Sequence, residues 1–141
     1  MITLFLLLAA LAVPDLAPMD AAVAKCDRVT VAAIFGAEPA RRSDFMTALF
    51  TEQQAIFVAR RDLEARRQAL RSAAAALPKA SGNPPAPPAD SEAAIAFAGA
   101  ALDDRQAALN DARALDALRR EALDAKRRLY LAQCGGKASE Q

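Results

Sequence analysis

The stretch Leu77–Glu92, LPKASGNPPAPPADSE, decides how the chain is built. It holds five of the eight prolines: Pro78, Pro84, Pro85, Pro87 and Pro88. Proline lacks an amide proton and drives the residue before it out of the helical region. A helix cannot run through such a segment, and Ser81, Gly82 and Asn83 add turn chemistry. The segment 78–90 therefore reads as a loop between two long helices. Two uses of it stay open: a linker at the tip of a hairpin, or a polyproline II ligand for an aromatic groove.

Working back from the loop, Leu49, Ile56, Leu63, Leu70 and Leu77 recur every seven residues. A strict seven-residue stripe wraps a helix against a partner. The companion positions Phe45, Glu52, Ala59, Arg66 and Ala73 are mixed, so the seam turns partly polar toward the loop. Pro39 suits a first helical position, which sets helix one at 39–77. Working forward, Asp90 or Ser91 can cap a second helix over 91–134, with Glu92 in its first turn. Ile95, Leu102 and Leu109 keep the seven-residue spacing. Asp116 is expected to break it and to pass the apolar face to Leu115, Leu118, Leu123 and Leu129. Gly135 suits a left-handed helix stop, and 135–141 form a tail.

Folded back at the loop, the two helices form an antiparallel, coiled-coil-like hairpin. Arg60, Arg61, Arg66 and Arg67 then fall near Asp103, Asp104 and Asp111. Arg119, Arg120 and the basic cluster 126–128 fall near Glu38, Asp44 and Glu52. Each exposed pair contributes only about 0–1 kcal/mol, and singly these charges read as a solvated helix face. The same folding brings Cys134 to the base of the hairpin. Cys26 precedes helix one by enough chain to meet it there, so a disulfide is expected in an oxidising compartment. The loop it closes exceeds 100 residues. The chain-entropy account assigns such a bridge roughly 4–5 kcal/mol.

The N-terminus, MITLFLLLAALAVPDLAPMDAAVAKCD, points to that compartment. Its apolar run from Ile2 to Val13 is short of the about 20 residues a spanning helix needs. It fits the core of a secretory signal peptide over 1–24. Ala22-Val23-Ala24 offers a cleavage site before Lys25, with an earlier cut left open. Lys25 excludes a lipoprotein box. Cleavage there leaves 18 basic and 15 acidic residues, a net charge of +3. That is too mild for a nucleic-acid footprint, and no stable membrane span is expected after cleavage. The segment 25–38 reads as a short helix from about Asp27 to Phe35, stopped by Gly36 and packed at the base. Tyr130 lies opposite.

The chain has no histidine. That removes Ser-His and Cys-His nucleophile pairs and every imidazole ligand. Asp103, Asp104 and Asp111 face arginines and imply no pocket. No catalytic residue, metal site or cofactor is expected, and the protein reads as no enzyme. Near the base, helix one is apolar over a wide arc: Phe45, Met46, Leu49, Phe50, Phe57 and Val58. Of these, Phe45, Met46, Phe50, Phe57 and Val58 are the candidate interaction surface for another chain.

An exported chain that runs from RVTVAAIFGAEPARR into a long amphipathic helix resembles the Skp/OmpH-type periplasmic chaperones. The resemblance covers about Arg28 to Leu77 and is architectural, without a specific motif. It implies trimers whose helical arms hold unfolded outer-membrane proteins. The sequence thus supports an exported or periplasmic protein-binding or scaffolding module, with an unidentified protein partner or self-association. Its alternatives are a Skp-like holdase and a cytosolic coiled-coil adaptor.

Overall fold

The computed structural model describes residues 15–76 and 91–135. The described residues form three α-helices and no strand: α1 (Ala17–Ala24), α2 (Arg28–Ala76) and α3 (Glu92–Cys134). The loop 78–90, with Asp90 and its proposed groove-binding prolines, lies outside them, as do residues 1–14 and the tail beyond Gly135. The two long helices contact one another. Their contacts divide the chain into two units, one of 15–50 with 110–135 and one of 51–76 with 91–109.

In the second unit the seven-residue stripes do what their spacing predicts. Leu63, Ile95 and Leu102 form a buried cluster, with Ala59, Leu70 and Ala98 packed against it. Ile56 is fully buried and Leu109 nearly so. Glu52 and Arg66, companion positions of the stripe, are half-buried, which is the polar share of the seam. Polar pairs run beside it: Glu52 with Arg105 at 2.8 Å, and Arg60 with Asp103 at 2.9 Å. Gln53 meets Gln106 at 3.1 Å. From Glu52 and Gln53 to Arg60 the partner on α3 falls from Arg105 and Gln106 to Asp103. Arg60–Asp103 was expected; Glu52 was expected near Arg119, Arg120 and the basic cluster 126–128 and instead takes Arg105. Ser91 is the cap of α3, its Oγ accepting from the Ala94 amide at 3.1 Å.

The first unit departs from expectation in four places. The helix expected to start at Pro39 begins at Arg28 and passes through both Gly36 and Pro39. Asp27 starts it: its Oδ1 accepts from the Thr30 amide at 3.1 Å and its Oδ2 from the Thr30 hydroxyl at 2.6 Å. Pro39 leaves the Phe35 carbonyl without its helical donor, a defect of about 3 kcal/mol in an isolated helix. Tertiary packing overrides it, because Val31 before the proline and Phe45 after it are both buried. Second, the short N-terminal helix is not 27–35 but α1, inside the segment assigned to the leader. Met19, Ala22 and Val23 of α1 are buried with Val31 and Leu123, and Leu16, Ile34, Phe35 and Tyr130 pack around them.

Third, Asp116 does not break the stripe of α3. Ile95, Leu102, Leu109, Asp116 and Leu123 are all buried, so the seven-residue interval continues unshifted. Leu115, Leu118 and Leu129, expected to take over the face, are exposed instead. Fourth, α3 ends at Cys134, but Gly135 does not adopt a left-handed conformation. The left-handed residue at this end of the molecule is Cys26, at φ 53°.

Truncating the seam separates buried from exposed positions on chemistry of the same kind. Ile56→Ala should cost about 2–5 kcal/mol in urea unfolding, while Phe97→Ala, 79% exposed, should change it by less than about 0.5 kcal/mol.

Candidate functional site

Two groups in the first unit carry chemistry beyond apolar packing. One is the junction of α1, α2 and the end of α3. The turn Lys25–Cys26 closes α1 with a paired motif: the Asp27 amide donates to the Ala22 carbonyl at 2.9 Å, and the Cys26 amide to the Val23 carbonyl at 3.2 Å. This arrangement requires a left-handed residue at the position Cys26 holds, where glycine is the usual choice. A side chain there costs on the order of 1 kcal/mol. Cys26 occupies it because its sulfur is bonded to Cys134, with the two Cα atoms 5.6 Å apart. The expected disulfide is therefore present, across a separation of 108 residues. A Lys126–Asp20 ion pair also joins α3 to α1. Arg127 adds a cation–π contact, its guanidinium 5.6 Å from the centre of the Phe35 ring. Thr30 holds the Asp27 carboxyl below its usual range through two hydrogen bonds.

The second group is a buried polar layer. Asp116, only 4% exposed, accepts from Arg41 at 2.5 Å and is reached by Arg120 at 3.4 Å. Arg41 also donates to Glu38 from Nε at 2.9 Å and from a terminal nitrogen at 2.7 Å. Arg119 donates to the other oxygen of Glu38 at 2.6 Å. Burial opposes ionisation of Glu38, but the hydrogen bonds from Arg41 and Arg119 outweigh it and hold its carboxyl below the ordinary value. Glu38 in turn holds the Arg41 proton more tightly than usual. Two carboxylates are thus met by three guanidiniums. Among the described residues, Arg119 Nε is the buried side-chain nitrogen without a hydrogen-bond partner. Such a layer is a poor source of net stability, since desolvation offsets its attraction, but breaking it leaves charge uncompensated.

The five residues singled out as an interaction surface divide. Phe45 is 2% exposed and belongs to the seam, which corrects its assignment; Arg41 stacks over it at 5.8 Å. Its position four residues before Leu49 puts it on the stripe rather than beside it. Met46 and Phe50 are exposed in the first unit, Phe57 and Val58 in the second. Met46 lines an open groove of about 720 Å³ with Phe35, Pro39, Arg42, Arg120 and Arg127. Missed at the sequence level was a second apolar set in this unit: Leu115, Leu118, Leu129 and Leu131, all exposed. The first three were visible as leucines but were assigned to the seam. Had Asp116 been accepted as a seam position, Leu115 and Leu129 would have fallen one residue off the stripe and Leu118 two.

Among the described residues there is no group of three or more His, Cys, Asp or Glu placed to hold a metal, and no helix long and apolar enough to cross a membrane. Set against protein-family models, curated proteins and solved structures, the chain has no match in any of the three.

Two sets of variants test these groups. Removing the bridge with Cys134→Ser should cost about 2–5 kcal/mol. The double variant Cys26→Gly/Cys134→Ser should then be more stable than Cys26→Ser/Cys134→Ser by about 1 kcal/mol, because only glycine relieves the left-handed position. Equal stabilities would show that the turn relaxes once the sulfur is gone. The Glu38 carboxyl, depressed in the folded state, stabilises the fold fully above its ordinary value of about 4.5. That contribution is lost as the pH falls through the lower folded value. Wild type and Glu38→Gln should therefore differ most near neutrality and converge once the pH has fallen below that folded value. Parallel curves would exclude Glu38 from acid unfolding.

Proposed function

We propose that this chain is an exported, non-enzymatic protein whose two long helices double back across 77–90 as an antiparallel hairpin, and that it acts as a protein-binding or scaffolding module. The observation that carries the reading is apolar surface left over after the seam is filled. In the first unit Phe50 is 66% and Leu118 60% exposed, with Met46, Leu115, Leu129 and Leu131 exposed as well. Large apolar side chains in such number are what partner-binding surfaces present. The descending partner numbers within each unit favour the hairpin. The Cys26–Cys134 bond favours an oxidising compartment, periplasmic or extracellular. The lack of histidine weighs against the common hydrolytic chemistries.

A holdase of the Skp type is the second reading, favoured by the exposed aromatics Phe50, Phe57 and Phe97 on otherwise charged helices. The two readings differ in selectivity. With a photo-crosslinking residue at position 118, a specific binder should yield one discrete adduct in envelope extract. Leu118→Asp in a chain carrying the cross-linker at 115 should abolish that adduct. A smear of adducts together with suppressed aggregation of an unfolded client identifies the holdase. For the compartment, both thiols should resist alkylation in the native protein until reductant is added. Thiols that react at once would assign the chain to the cytosol as a coiled-coil adaptor.

A further inference from the structure

We propose that two copies of this chain pair antiparallel through a second apolar stripe on α3, about a twofold axis that passes between Leu123 and Asp124. The inference rests on the protein-binding reading and deepens it, since it names a second copy as the occupant of one exposed face.

Leu115, Leu118, Ala122, Ala125, Leu129 and Ala132 stand alternately three and four residues apart. That is the spacing of a coiled-coil seam. It runs beside the buried positions Asp116, Arg119 and Leu123 and shares no residue with them. Leu115 is 51%, Leu118 60% and Leu129 48% exposed. Ala125 and Ala132 are exposed too, and Ala122 is half-buried. The stripe has ends. One interval before Leu118 stands Asp111, and α3 finishes at Cys134. Between them it is about 27 Å long, and all of it lies in the first unit.

The order of residues along the stripe marks a second copy as its occupant. In a twofold contact, residue i meets j and j meets i. Laid antiparallel on itself about its midpoint, the stripe sets Leu118 against Leu129 of the partner subunit, Ala122 against the partner's Ala125 and Leu115 against the partner's Ala132. Every member of the stripe meets another member, and small side chains at the axis let the two backbones approach closely. The charges agree. Glu121 and Arg128 each precede a stripe position, on the side away from α2, and both are exposed. Neither has an ion-pair partner among the described residues. In the antiparallel register Glu121 faces the partner's Arg128, and by symmetry Arg128 faces the partner's Glu121. On the other flank Arg119 and the partner's Lys126 approach, but Glu38 and Asp20 already neutralise these two cations within each copy. A parallel pairing would bring Glu121 to the partner's Lys126, which Asp20 holds, and Arg128 to the partner's Gln133. It would leave the two free charges unmatched.

One helix face of this length covers well below the about 800 Å² per partner of a standard interface. The dimer should therefore dissociate on dilution, with Kd on the order of 10 μM. Sedimentation of the native full chain from about 1 μM to about 500 μM reads this directly, and a monomer–dimer equilibrium is expected. A monomer throughout, or a trimer, overturns the inference. Leu118→Glu, at an exposed position, should leave helicity and Tm unchanged and raise Kd by about a hundredfold. A dimer indifferent to it uses another face and overturns the inference as well. Charge tests the register. Glu121→Arg and Arg128→Glu should each weaken self-pairing by about tenfold. An equimolar mixture of the two should dimerise as wild type does, because each supplies the charge the other lacks; failure of that rescue overturns the antiparallel register. The cross-linker at position 118 separates this inference from the reading it rests on. An adduct of twice the chain mass supports the dimer. An adduct of another mass, from a chain that sediments as a monomer, overturns the dimer and leaves the protein-binding reading standing. A monomer that yields no adduct overturns both.

Discussion

A helix of 49 residues with one narrow apolar stripe cannot hold itself in water, so the pairing of α2 with α3 is the constraint on which the remaining features depend. The stripe recurs every seven residues on both helices, and each leaves its other faces to solvent. A seam of this kind has a weakness. Leucines repeated at equal intervals fit almost as well after a slip of seven residues. The buried layer of Glu38, Arg41, Asp116 and Arg119 removes that degeneracy. Sliding α3 by one interval would set Leu109 or Leu123 where Asp116 now meets Arg41, taking from the guanidinium its carboxylate on α3 and leaving it only Glu38 of its own helix. A polar residue at one seam position is a well-attested way to fix register at some cost in stability.

The base supplies the second constraint. There α1, the start of α2 and the end of α3 converge on Met19, Val23, Val31 and Leu123. The turn that joins α1 to α2 is held by two backbone hydrogen bonds, an aspartate cap and a cysteine in a backbone conformation that L side chains avoid. The sulfur bond and the strained turn belong together: the strain places the Cys26 side chain, and the bond keeps it there. Exposed apolar side chains lie outside this arrangement, on Met46 and Phe50 of one helix and on Leu115, Leu118 and Leu129 of the other.

Much of this was legible in the sequence, and the misreadings share a cause. Leu63, Ile95 and Leu102 were read correctly because periodicity is local and needs no knowledge of the partner. Cys26 and Cys134 were paired because only two cysteines exist and two helices must meet. Asp116 was misread because a carboxylate on an apolar stripe normally means an interruption. Its justification, Arg41, lies 75 positions away. Gly36 and Pro39 were taken as breaks on intrinsic preference, which burial of Val31 and Phe45 on either side overrides. The helix α1 was not read at all, because Ala22 and Val23 look the same, letter by letter, whether they pack into a base or precede a cleavage site.

The sulfur bridge also changes what damage to the chain looks like. Any single peptide bond broken between Cys26 and Cys134 yields two pieces that stay covalently joined. A nicked molecule would run as intact until reduced, and its helices would remain at high effective concentration with respect to each other. The covalent loop thus makes the pairing of the two helices tolerant of a broken backbone between them.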